Sequence, residues 1–80
     1  MYILYDELFW TNEKGNRTHD CVKTAFETLE EAQAEMMYQF ELRACGNVST
    51  LLLDRSALIV HYDKDGRYDR MVQLGILEEA

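Results

Sequence analysis

The chain has 80 residues, and 15 acidic against 8 basic side chains give a formal net charge of −7 with both histidines neutral. So short a chain supports one hydrophobic core, so residues 1–80 read as a single domain, and 48% apolar and 11% aromatic residues place it among folded chains rather than disordered ones. The acidic balance argues against direct nucleic-acid binding, which needs a concentrated lysine and arginine face. No apolar run reaches the 18 or so residues of a membrane span, and the start Met1-Tyr2-Ile3-Leu4-Tyr5-Asp6-Glu7 lacks the basic region and cleavage site of a secretory signal. A cytoplasmic location is expected, with Cys21 and Cys45 as free thiols.

From Tyr2 to Trp10 the chain is aromatic and branched, which predicts a strand: Tyr2, Leu4, Leu8 and Trp10 alternate against Ile3, Tyr5 and Phe9. The polar stretch Thr11 to Asn16 follows, where Gly15 and Asn16 suit the positive φ of a hairpin loop. A second strand is expected over Arg17 to Phe26. Period two puts Val22, Thr24 and Phe26 on a core face and Arg17, His19, Cys21 and Lys23 on a wetter one.

Thr28-Leu29-Glu30-Glu31 fits a capping box, with the threonine hydroxyl accepting from a first-turn N–H and Glu31 reaching back. The helix is expected from Leu29 to about Cys45, stopped at Gly46-Asn47 by a left-handed glycine. At 100° per residue Leu29, Ala32, Met36 and Phe40 form the stripe that covers the sheet. Ala34, Tyr38, Leu42 and Cys45 form a second apolar stripe on the opposite side, where a solvated helix is normally polar. Scattered exposed apolar residues need no explanation, but a partner surface would look the same.

Two further strands are expected at Thr50 to Leu53 and Ala57 to Tyr62, then a hairpin at Asp63-Lys64-Asp65-Gly66. In the last strand Tyr68, Val72, Leu74 and Ile76 line one face. The expected fold is α+β: an antiparallel sheet of four to five strands with one helix packed on one face, in the order β-β-α-β-β-β.

Catalytic and metal-binding patterns are thin. Reading His61 to Val72 as a calcium loop leaves out both the first acid and the closing glutamate, so Asp65-Gly66 is a turn. His19 and Cys21 share a strand face, and His61 or Cys45 would have to complete a zinc shell, but no Cys-x-x-Cys or His-x3-His pair exists and Cys45 is expected to point away from the sheet. Gly15, Gly46, Gly66 and Gly75 are too dispersed for a phosphate loop. No enzyme activity and no cofactor are expected.

What remains is surface. A sheet with a helix on one side should leave its far face polar, yet the first strand is apolar on both faces. The expected function is therefore a small, acidic, non-enzymatic protein-protein interaction module. It self-associates as a homodimer or binds a protein partner through Ile3, Tyr5 and Phe9 or through Tyr38 and Leu42. A second reading uses charge: Glu27, Glu30, Glu31, Glu35 and Glu41 crowd the helical segment. Such a row can imitate nucleic-acid phosphates and block a basic nucleic-acid-binding protein or nuclease, as small inhibitors from phage and other mobile elements do.

Overall fold

The computed structural model describes residues 1–79. The elements in chain order are β1 (Tyr2–Thr11), β2 (Arg17–Phe26), α1 (Leu29–Arg43), β3 (Val48–Leu52), β4 (Ser56–Tyr62) and β5 (Tyr68–Glu78). All five strands form one antiparallel sheet, ordered β2-β1-β5-β4-β3, as the α+β reading anticipates. The first and last strands are thus central neighbours, and β2 and β3 are the edges.

Two hairpins share one construction. Asn12 and Asp63 each open a loop whose backbone N–H donates to the carbonyl four residues on, Asn16 or Arg67, at 2.9 and 2.8 Å. Each side chain then accepts two further backbone N–H groups, from Lys14 and Asn16 or from Asp65 and Arg67, at 2.9–3.0 Å. The glycine that follows carries the left-handed turn, with φ of 80° at Gly15 and 77° at Gly66. Asn16, expected to share that conformation, does not, because no residue other than glycine has positive φ among the described residues. One left-handed residue completes a type I turn, and the glycine supplies it without a Cβ clash.

The helix starts as its sequence dictates. Glu31 N–H donates to the Thr28 hydroxyl at 3.2 Å, and that hydroxyl donates to the Glu31 carboxylate at 2.9 Å. Glu31 therefore reaches back to the side chain of the cap rather than to its amide. The helix is shorter than expected and ends at Arg43. The Ala44 N–H still reaches the Phe40 carbonyl, but Ala44 has left helical geometry, with ψ of 54°, and Gly46 follows at φ 85°. Cys45 therefore lies past the helix.

The core lies between α1 and one sheet face. Ala32 and Met36 close over Leu4, Ala57, Ile59, Val72, Leu74 and Ile76, with Leu29 and Phe40 at the margin. Two expectations fail at the ends of this face. Val22 is 62% exposed, because β2 is an edge strand reached only by the start of the helix, and of the face Val22, Thr24 and Phe26 only Phe26 packs on the core. Tyr68 is 51% exposed, because it lies beyond the register irregularity at His61/Tyr62 that breaks the alternation of β5.

The principal extents are 42 × 23 × 15 Å. The thinnest dimension accommodates one sheet and one helical layer. No helix among the described residues is long and apolar enough to cross a membrane.

Candidate functional site

Since even-numbered residues of β1 face the helix, the odd-numbered ones face away, and the register carries this assignment across the sheet. Four cross-strand rows result on the face without a helix, besides the Thr11 and Arg17 pair at the end of the first hairpin. One is His19, Phe9, Met71, Val60 and Ser49; the next is Cys21, Glu7, Gln73, Leu58 and Leu51. The third is Lys23, Tyr5, Gly75 and Ser56, and the last is Ala25, Ile3 and Leu77. This open face is mostly apolar, with Glu7 and Gln73 paired on its two central strands.

Its two halves differ. On the β2 side, the aromatics carry partial covers from their own chain. The His19 ring stacks on Phe9, with centroids 4.4 Å apart and planes 4° from parallel, and is held by a 2.8 Å contact with Glu7. The Lys23 ammonium stands 5.4 Å from the Tyr5 ring centroid. Farther across, Tyr68 shares a pocket with Phe9 and Met71, its hydroxyl donating to the Phe9 carbonyl at 3.4 Å. Leu58, Val60 and Met71 are half-buried, while Leu51 and Leu77 are 54% and 59% exposed. Gly75 opens a gap in the third row, since an added Cβ would meet nothing within 4 Å.

Of the residues singled out from sequence, Tyr5 and Phe9 lie in the open face and half-buried. Ile3 lies in it too but is only 9% exposed, closed in between Ala25 and Leu77. Tyr38 and Leu42 are 56% and 55% exposed on α1, on the other side of the molecule, so the two apolar surfaces do not join. Leu51, Leu58, Val60, Met71 and Leu77 were not anticipated. Their signal is alternation in the late strands, which assigns a face only once it is known which strand pairs with which.

The glutamates do not form one row. Glu35 accepts from Gln39 at 3.3 Å, and Gln39 accepts in turn from Arg43 at 2.8 Å. Glu31 is held by the cap. Glu27, Glu30 and Glu41 are exposed, and by spacing Glu30 and Glu41 share a ridge with Gln33 and Met37.

That ladder leads to an ion pair absent from the sequence reading. Arg43 donates from both terminal nitrogens to Asp6, at 2.6 and 2.5 Å. The Asp6 carboxylate, through this bond foremost, holds the Arg43 guanidinium above its ordinary pKa against the opposing effect of burial. Asp6 interrupts the apolar alternation of β1 on its core face, which is the trace it leaves in the sequence.

The proposed metal and thiol partners are separated. His19 and Cys21 lie on the open face at the β2 edge, whereas His61 faces the helix side and shares a groove of about 320 Å3 with Cys45, Leu42 and Arg70. Cys45 thus turns toward the sheet rather than away, because the chain leaves the helix before it. Burial, then the Arg70 charge, hold the His61 pKa below its ordinary 6.5, with Asp69 acting in the other direction. Among the described residues no three His, Cys, Asp or Glu side chains come together as a metal-binding group. No protein family, curated protein or solved structure matches this chain.

Proposed function

We propose that the protein is a non-enzymatic interaction module that self-associates, two copies meeting through the open sheet faces about a two-fold axis. The observation that carries this is the apolar cluster Met71, Val60, Leu58 and Leu51 on the face without a helix. Size and charge support it. Strands of 10, 10, 5, 7 and 11 residues, at about 4.8 Å spacing and about 3.4 Å per residue, give a face on the order of 700 Å2, near the roughly 800 Å2 that each partner of a standard stable interface contributes. The chain carries −7, yet this face holds one acid, Glu7, and two bases, Arg17 and Lys23, besides His19. Two such faces meet with few charges between them, and a two-fold axis brings the same patch of each copy into contact.

Light scattering on a sizing column tests the proposal. The expected mass at high micromolar concentration is twice 9.4 kDa, and Met71→Glu, which places a charge at the centre of the contact, is expected to give a folded monomer. A monomeric wild-type chain at that concentration overturns it. The competing reading, an acidic inhibitor of a basic nucleic-acid-binding protein, draws on the exposure of Glu27, Glu30 and Glu41. Its signature is binding to a basic protein that weakens steeply with salt, which Met71→Glu leaves unchanged.

A further inference from the structure

The two sheet edges are built differently. β2 carries Arg17, Asp20 and Lys23, charges of the kind that deter another strand from pairing. β3 reads Val48-Ser49-Thr50-Leu51-Leu52, with neither charge nor proline. Its ladder with β4 fixes which backbone groups remain unpaired. The Tyr62 N–H donates to the Asn47 carbonyl at 2.9 Å, and the Leu53 N–H donates to the Ser56 carbonyl at 2.8 Å. Hydrogen-bonded pairs alternate along an antiparallel ladder, so Ser49/Val60 and Leu51/Leu58 are the hydrogen-bonded pairs between them. The N–H and C=O groups of Val48, Thr50 and Leu52 therefore point away from β4.

The space beside this edge is also shaped. The helix packs on β1, β2, β4 and β5 and leaves β3 uncovered. The result is an open groove of about 870 Å3 at the end of this edge, lined by Gln33 and Met37 from the helix, by Leu52 from β3, and by Leu53, Asp54 and Arg55 from the turn that follows, the last two of opposite charge. Met37 and Leu52 are each 39% exposed and Leu53 55%. Glu30 and Glu41, on the ridge of Gln33 and Met37, lie about 16 Å apart along the helix at 1.5 Å per residue. β3 is slightly shorter, about 14 Å from Val48 to Leu52, so a segment paired along its whole length ends near both glutamates.

We propose that β3 and this groove bind an extended segment of a partner protein by strand addition. The segment is apolar at alternate positions, which lie over Met37 and Leu52, and basic at each end, facing Glu30 and Glu41. The carboxylates select this occupant over a second copy. Two β3 edges brought together would bring two pairs of these glutamates into one region of chains that each carry −7, whereas lysine or arginine at the segment ends neutralises them. Main-chain bonds to Val48, Thr50 and Leu52 supply affinity, and the groove and its charges supply selection. The surface is distinct from the open sheet face and does not depend on the dimer.

The test is titration of the full chain with a capped synthetic heptapeptide, Lys-Thr-Leu-Thr-Leu-Thr-Lys, followed by amide NMR. Saturable binding below about 1 mM is expected, a level typical of a short unrestrained peptide, with the largest shifts at Val48, Thr50 and Leu52. Thr50→Pro removes an outward N–H without touching a bond to β4, a placement an edge strand tolerates, and is expected to weaken binding at least about tenfold. Replacing both peptide lysines by glutamate is expected to abolish binding, and the double variant Glu30→Lys, Glu41→Lys is expected to restore it for that acidic peptide. Methylating the peptide amides that face β3 tests the same bonds with the wild-type chain. No binding at about 1 mM, equal binding by the methylated peptide, or shifts confined to β2 or the open face would overturn the proposal, whether or not the chain dimerises.

Discussion

The same sheet is sealed on one side and open on the other. On the helix side, Ala32 and Met36 lie at 0% and 2% exposure over Ile59 and Leu74, which are both fully buried. On the opposite side, Leu58, Val60 and Met71 come from the same strands and are equally apolar, but they lie on the face away from the helix and are only half-buried. The difference is not in the strands. One 15-residue helix covers one face, and the described residues hold no second helix to lay on the other.

The largest expected effect uses a methionine on each side. Met36→Ala removes a side chain enclosed between helix and sheet and is expected to cost about 3 kcal/mol of unfolding free energy by urea titration. Met71→Ala, measured at a dilution where only monomer is present, is expected to cost less than about 1 kcal/mol, because its outer surface already meets water. Equal costs would mean that the open face is as well packed as the closed one.

The next effect concerns how the helix is fixed to its face. Asp6→Ala leaves the Arg43 guanidinium partly buried and unpaired, and is expected to cost about 2 kcal/mol. In a double-mutant cycle with Arg43→Ala, the pair is expected to show a coupling of at least about 0.5 kcal/mol. Additive losses would show that the helix is held by its apolar stripe alone.

The smallest effect is one of pH. The fold favours the neutral His61 ring, so the unfolded chain binds the proton more readily. Stability contributed here is fully present above about pH 6.5, the ordinary value, and is lost as pH falls toward the lower folded-state value. Urea midpoints at pH 7.5 and 5.0 are expected to differ less for His61→Gln than for wild type. An unchanged difference would assign the pH dependence to other groups.

Much of this architecture is legible along the chain because it is locally caused. Gly15 and Gly66 mark hairpins since each loop needs one left-handed residue, and Thr28 with Glu31 marks the helix start since they satisfy its first amides. Leu29, Ala32, Met36 and Phe40 show by spacing which helical face is buried. The candidate surface is less legible. Tyr5 and Phe9 reveal that β1 has two apolar faces, but which side chains surround them depends on β5 lying against β1, some seventy residues away in sequence. The pairing of Asp6 with Arg43 across 37 residues has the same origin.

The sequence alone determined the elements, the turn residues and the acidic, two-sided apolar character of the chain, because these follow from contacts within a few residues. The tertiary structure decided that β1 and β5 occupy the centre, that β3 becomes an uncharged edge beside a groove, and that one sheet face stays open. Those outcomes depend on strand order and register, which set the neighbours of each side chain and are fixed only when distant segments pair.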